Sequence, residues 1–215
     1  MLSSDTSDRG PDGEEPRDEA DEARDAELAL VRALRRRERG AFDRLYGQHH
    51  ERIWAFLLRL TGRRDEAADL FQETWLAAAR HAEHLEEQSR LLPWLYTIAR
   101  NKHRNARRFL LFDLRKRELS ALEPEVERMG LEEALESKQR AEALQKAFYA
   151  LPDASREVLL LVTIDGMSSG EAAGVLGLEE AAVRKRLSRA RAELAESMAR
   201  IERKGAAALA ARRTS

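Results

Sequence analysis

Two runs of cationic side chains carry most of the chemistry that this sequence offers. Arg100, Lys102, His103, Arg104, Arg107 and Arg108 place six charged or near-charged groups within nine residues. Arg184, Lys185, Arg186, Arg189 and Arg191 form a second run, with Ser188 among them. Guanidinium and ammonium groups at such density neutralise phosphates, and the guanidinium fork adds directional hydrogen bonds. Cations in the last turns of a helix also suit its dipole, but six exceed what capping requires. A phosphate-tracking surface is therefore expected from the first run.

The second run lies on a helix whose start is written into the residues before it. Ser168-Ser169-Gly170-Glu171 has the form of a capping box, and Leu176-Gly177 closes the short helix it opens. The chain then restarts at Glu179. Val183, Leu187, Ala190, Leu194, Met198 and Ile201 fall on one apolar stripe, with Arg184, Lys185, Ser188, Arg189 and Arg191 outward or flanking. A capped helix, a tight turn and a helix with an apolar back and cationic front predict a helix-turn-helix. Glu180, Ala181, Ala182, Arg184, Lys185 and Ser188 are then the candidates to approach base edges in the major groove.

The first run needs a different support. Helical periodicity begins near Asp25, with Leu28, Leu30, Val31 and Leu34, and Gly40 separates that helix from the next. Phe42, Leu45, Tyr46, His49, Ile53, Phe56, Leu57 and Leu60 define a second helix, which Thr61-Gly62 ends. A third helix is predicted from about Asp65 to His81, burying Ala68, Phe71 and Trp75, and a fourth from about Arg90 to Arg108. In the fourth, Trp94, Leu95, Ile98 and Ala99 define the buried side; a core role for Trp94 outweighs stacking on an unpaired base. Four helices make a first domain over 25–108. Pro124, Gly130 and recurring acids break the periodicity, so 109–135 is assigned as a linker. A second helical domain over 136–200 comprises Ala141 to Ala150, a helix opened by Pro152-Asp153, and the helix-turn-helix. The fold class is all-α, two small helical domains joined by a linker.

Composition agrees and narrows the functional classes. Only 16 residues are Gly or Pro, while 36% are charged, which favours exposed amphipathic helices over a sheet-rich core. The net charge of -1 averages two opposed fields: residues 1–27 hold eleven acids and three bases, whereas 100–117 hold eight Arg or Lys and the single acid Asp113. With so little to bury, 1–24 is expected to be a disordered acidic leader, and 201–215 an Ala/Arg tail of no assigned role. No cysteine is present, which excludes disulfides and thiolate chemistry and suits a reducing cytoplasm. No run approaches the ~18 apolar residues of a membrane span, and the acidic start is unlike a signal peptide. His49-His50 and His81 with His84 lack the Cys or carboxylate set of a metal site, and no Walker-type Gly loop occurs. No enzyme activity, cofactor or metal is expected.

Two segments, in the same order, resemble the extracytoplasmic-function sigma factors of bacterial RNA polymerase. Ala67-Ala68-Asp69-Leu70-Phe71-Gln72-Glu73-Thr74-Trp75, followed by Trp94-Leu95-Tyr96-Thr97-Ile98-Ala99-Arg100-Asn101, is similar to the polymerase-binding and melting helices of that family. Leu151-Pro152 through Arg156-Glu157-Val158-Leu159, then Gly166-Met167-Ser168 and Arg186-Leu187-Ser188-Arg189-Ala190-Arg191, is similar to its helix-turn-helix domain. The resemblance implies that Asp69, Leu70, Gln72 and Glu73 dock on the coiled coil of the largest polymerase subunit. It implies a flipped-base pocket for the minus-ten element at Leu85, Glu86, Glu87, Gln88 and Ser89, with Arg100, Asn101, Arg104, Asn105 and Arg108 near the melted strand. It implies minus-thirty-five duplex reading by Ser168, Glu180, Ala181, Ala182, Arg184, Lys185, Arg186, Ser188, Arg189 and Arg191. Ala181-Ala182 stand where the family often has Gly-Thr, which removes a hydroxyl from that turn. The partners implied are core RNA polymerase, duplex and melted promoter DNA, and an anti-sigma factor, with no membrane insertion. The rival reading is a free-standing dimeric helix-turn-helix regulator, which needs paired half-sites and no melting domain.

Overall fold

Glycines and one proline partition the chain into helices whose apolar stripes then find one another. The computed structural model describes the backbone of residues 19–114 and 135–213, and the side chains of 19–108 and 140–203. The expected acidic leader up to residue 18 and the central part of the expected linker, 115–134, lie outside the described residues. Among the described residues there are eight α-helices and no strand.

The first half comprises α1 (Glu19–Arg35), α2 (Ala41–Thr61), α3 (Arg64–His81), a 3-10 turn over Ala82–His84, and α4 (Leu91–Leu114). Leu45, Ile53, Phe56, Leu57 and Leu60 of α2 are sealed against Leu91, Leu95 and Tyr96 of α4. Each such burial contributes about 1.5–3 kcal/mol. The phenol of Tyr96, packed edge-on at 4.8 Å against Phe56, is pushed well above its ordinary pKa by burial, with the Asp165 carboxylate adding to the rise.

Helix α3 buries a face shifted by one position from the expected stripe. Ala67, Leu70, Thr74, Trp75, Ala77 and Ala78 point inward, whereas Ala68 is exposed and Phe71 half-buried. Small Ala side chains let the helix lie close to α2, and the bulkier Phe71 is displaced to the rim, edge-on to Trp54 at 5.6 Å and to Trp75 at 6.1 Å.

The second half comprises α5 (Leu135–Tyr149), α6 (Asp153–Leu159) running into a π-helical turn over Leu160–Ile164, α7 (Ser169–Leu176) and α8 (Glu180–Arg213). Ala143, Ala147, Leu151, Val158, Leu161, Val175, Val183, Leu187 and Ala190 supply its buried face.

Four helices outrun their expected bounds, among them α5, which starts at Leu135, at the end of the expected linker, instead of at Ala141. Helix α1 starts at Glu19 instead of near Asp25, α4 continues to Leu114 beyond Arg108, and α8 reaches Arg213 through the expected tail. Glu19, Asp21 and Glu22 suit the N-terminal dipole of α1. Neither Gly nor Pro interrupts Phe109 to Leu114, and the Ala-rich segment of α8 has high intrinsic helicity.

The two halves are packed against each other. Their buried side chains form one continuous cluster, and α4 lies against α7 and α2 against α6. Gly62, at φ 72° on the C-cap of α2, abuts the second half so closely that a Cβ there would stand 2.7 Å from the ring of Tyr149. Position 62 thus demands glycine for both its left-handed backbone and its contact.

Candidate nucleic-acid interface

The helix-turn-helix is assembled from the local signals in its sequence. Ser168 Oγ accepts the backbone N–H of Glu171 at 3.1 Å, and the Ser168 N–H donates to Glu171 Oε2 at 3.0 Å, closing the capping box. The Ser168 N–H first, and with it the Ser168 hydroxyl, which donates to the same Oε2 at 3.0 Å, hold the Glu171 carboxyl below its usual pKa. Gly177 takes φ 63° and turns the chain into α8. Val183, Leu187 and Ala190 face inward, while Glu180, Ala181, Ala182, Arg184, Lys185, Ser188, Arg189 and Arg191 are exposed and Arg186 half-exposed. Ser168 is also exposed, at the start of α7. Arg184 is salt-bridged to Glu180 one turn earlier, a solvent-exposed pair of small energetic weight. Eight of the ten expected minus-thirty-five residues therefore share one accessible stretch, Glu180 to Arg191, with Arg186 at its edge and Ser168 across the turn.

The basic helix of the first half behaves differently. Asn101, Arg104, Asn105 and Arg108 are exposed as expected, but Arg100 is only 6% exposed. Its Nε donates to Glu157 Oε2 of α6 at 2.8 Å, and its Nη1 donates to the Val175 carbonyl at 3.3 Å. The expectation that Arg100 lies open beside a nucleic-acid strand is thus corrected for this arrangement: a buried carboxylate, 3% exposed, holds it. One helical repeat further on, Arg107 Nε donates to Asp153 Oδ2 at 3.1 Å, and Arg156 is bound to the same carboxylate. His103, 2% exposed, sits beside this network. Burial lowers its pKa to about 4, with Arg107 and Arg156 pushing it down and Asp153 opposing them.

On α3, Asp69, Gln72 and Glu73 are exposed on one side, with Glu73 Oε2 3.1 Å from Lys102 Nζ of α4. Leu70 is not among them. It is 3% exposed and belongs to the core, because the shifted stripe of α3 turns it inward. The loop before α4 shows a similar split: Glu86, Glu87 and Gln88 are exposed, Ser89 is half-buried, and Leu85 is 5% exposed and packed into the core. Leu85 thus anchors the loop and does not line an open pocket.

Helix α1 shapes that loop, a role that the periodicity of α1 did not reveal. Arg24 donates to the carbonyls of Gln88 at 2.8 Å and Ser89 at 3.5 Å, and Arg32 Nε lies 3.4 Å from Glu87 Oε1. Glu27 Oε1 accepts the Leu91 N–H at 2.8 Å and so caps α4, while its Oε2 pairs with Arg90 at 3.0 Å. Asp153 and Glu157 were likewise unmarked in the sequence, since nothing in their own helix discloses their cationic partners.

Among the described residues, no group of three His, Cys, Asp or Glu side chains stands close enough to hold a metal ion. No described helix is long and apolar enough to cross a membrane.

An acid-edged helix beside a basic helix, joined in one chain to a capped helix-turn-helix, defines an all-helical protein of the DNA-binding class, with exposed cations on both α4 and α8. The Sigma-70 region 2 family matches residues 45–109, and the Sigma-70 region 4 family matches 141–194. RNA polymerase sigma factor NccH of Alcaligenes xylosoxydans xylosoxydans is 33% identical over 77% of this chain and 91% of its own length. ECF RNA polymerase sigma factor SigM of Mycobacterium tuberculosis (strain H37Rv) is 31% identical over 81% of this chain and 84% of its own length. A probable RNA polymerase sigma factor of Xanthomonas campestris, RfaY, is 38% identical over 71% of this chain, a match that spans 39% of that protein. Among solved structures, the sigma factor RpoE of Bartonella quintana, in complex with the anti-sigma factor NepR, superimposes with a TM-score of 0.66 at 26% identity, over 74% of this chain and 97% of that one.

The chain belongs to the sigma-70 family, in its extracytoplasmic-function group, whose members direct promoter-specific initiation by RNA polymerase. A free-standing dimeric regulator is not favoured, since region 2 has no place in it.

Proposed function

We propose that Asp69, Gln72 and Glu73 dock this factor on the polymerase coiled coil, that α4 and the loop before it capture and melt the minus-ten element, and that α8 reads the minus-thirty-five duplex. The observation that supports this division most is the exposure pattern of α8, where Glu180, Arg184, Lys185, Ser188, Arg189 and Arg191 share an accessible face above an apolar stripe. In this reading Asn101, Arg104, Asn105 and Arg108 track the melted strand. Extruding a base costs a few kcal/mol, so a site that rewards the exposed base both recognises and opens the duplex. The factor has no catalytic chemistry of its own and acts in the cytoplasm, where polymerase and promoter meet. An anti-sigma factor holds it inactive, a partner class suggested by the RpoE–NepR complex and by CnrH, solved with the cytosolic domain of CnrY.

Run-off transcription with core polymerase tests the map. Asp69→Ala/Gln72→Ala is expected to abolish core binding; Arg184→Ala/Lys185→Ala is expected to abolish promoter selection and leave core binding intact. Full promoter-specific transcription by both double variants would overturn the assignment.

A further inference from the structure

Helix α4 begins without a cap from its own segment. Its first turn contains no acid and Pro93 has no N–H, and the N–H of Leu91 finds its acceptor on α1. That acceptor is Glu27, a carboxylate 20% exposed. Its Oε1 takes the Leu91 N–H at 2.8 Å, and its Oε2 meets Arg90 at 3.0 Å and Arg24 at 2.6 Å. A negative charge at this end also suits the dipole of α4. Arg24 completes the hold: its guanidinium donates to the carbonyls of Gln88 at 2.8 Å and Ser89 at 3.5 Å. The Ser89 N–H closes a turn onto the Glu86 carbonyl at 3.0 Å. The backbone of the loop is thus fastened by two side chains that stand 64 residues earlier in the chain.

The same loop keeps polar side chains free. Glu86 and Gln88 are exposed, and among the described residues nothing bonds their side chains. A carboxylate accepts from the amino group of a base, and an amide both donates and accepts, so the two can read a base edge. They stand on a backbone that they do not themselves hold. A polar contact of this kind is lost when its support shifts by about 1 Å. Helix α1 is secured independently, because Leu30, Val31, Ala33 and Leu34 bury it in the core. Removing the Glu27 carboxylate therefore releases the loop without detaching the helix.

We infer that Glu27 and Arg24 are positioning residues for base choice in the minus-ten element: through the loop backbone they fix where Glu86 and Gln88 meet the extruded base. This rests on the proposed capture of that base by the loop before α4. The two α1 residues touch no nucleic acid in this scheme. Their effect is confined to the one base that the loop reads, whereas phosphate contacts along α4 and duplex contacts along α8 are left as they are.

The test uses the full-length chain bound to core polymerase, which selects strands from a pool of randomised single-stranded DNA; the bound strands are sequenced. Glu86→Ala/Gln88→Ala identifies the position that the loop reads, as the one whose base enrichment it removes. In the wild type that enrichment is expected to be about tenfold, within what one good base contact supplies. Glu27→Ala and Arg24→Ala are each expected to lower it to about twofold by loosening the support of the loop, with enrichment at other positions and core binding unchanged. Glu27→Gln keeps an acceptor for the Leu91 N–H and is expected to retain most of the enrichment. If Glu27→Ala fails to fold, Arg24→Ala carries the test, since that side chain is 29% exposed. Full enrichment at the loop's position in both α1 variants overturns the inference, and so does an equal loss at every position, the mark of a merely structural role. If no position responds to Glu86→Ala/Gln88→Ala, the loop reads no base, and the reading on which the inference rests falls with it.

Discussion

Helices α4 and α8 carry similar cationic charge, yet the fold treats them in opposite ways. On α8, Lys185, Arg189 and Arg191 stand in solvent, and Arg184 meets only a neighbour on its own helix. On α4, Arg100 and Arg107 are bound by carboxylates from a different part of the chain, and His103 is sealed beneath them. A run of cations is therefore no measure of available charge. What decides is whether tertiary partners reach it, and those partners lie some fifty residues away in sequence.

Removing the deepest of those partners should separate the helices most sharply. Glu157→Ala strands Arg100 in a buried site, and loss of one member of a buried pair costs roughly 3–5 kcal/mol. Hydrogen exchange should show protection collapsing where α4 meets α6 and α7, with the apolar interior of α2 and α3 little affected. Retained protection there would mean that the pair does not hold the halves together.

Acid should weaken the same contact. His103 titrates at about 4 in the fold against 6.5 when free, so the unfolded or opened chain binds its proton first. The stabilising contribution of neutral His103 is complete above pH 6.5 and is lost as pH falls towards 4, a difference of roughly 3 kcal/mol at the limit. Urea melts across this window should slope accordingly for the wild type and more shallowly for His103→Gln. Equal slopes would remove His103 from the account.

The second half should respond less, and locally. Ser168→Ala removes one arm of the capping box and is expected to cost about 1 kcal/mol in a thermal melt. Arg184→Ala should change stability by less than about 0.5 kcal/mol, while lowering the salt slope of promoter binding by about 0.9 if that side chain neutralises one phosphate. A larger stability loss at Arg184 would contradict its solvent-exposed placement.

The sequence was most legible where physics is local. The capping box, the Gly177 turn and the first part of the α8 stripe, Val183, Leu187 and Ala190, each depend on residues within one or two turns, and each is found where the spacing puts it; further on, Leu194, Met198 and Ile201 are only half-buried and Ser197 is buried instead. Legibility fails where packing chooses between similar side chains. Ala68 and Ala67 are indistinguishable in propensity, so the stripe of α3 is displaced by one position and carries Leu70 inward. Leu85 is apolar in a polar loop, and only the core beneath it explains why it is buried while Glu86 is exposed. The fastening of Arg100 to Glu157 is least legible of all, because neither side chain's neighbours in sequence mark it.

The central claim, that this chain opens promoters when carried by polymerase, is tested most directly by permanganate probing of thymines in a cognate promoter. Reactivity across the minus-ten region is predicted only when both core polymerase and this factor are present, and is predicted to vanish with Asp69→Ala/Gln72→Ala. Unreactive thymines in the complete mixture, together with duplex binding equally tight without polymerase, would contradict the account.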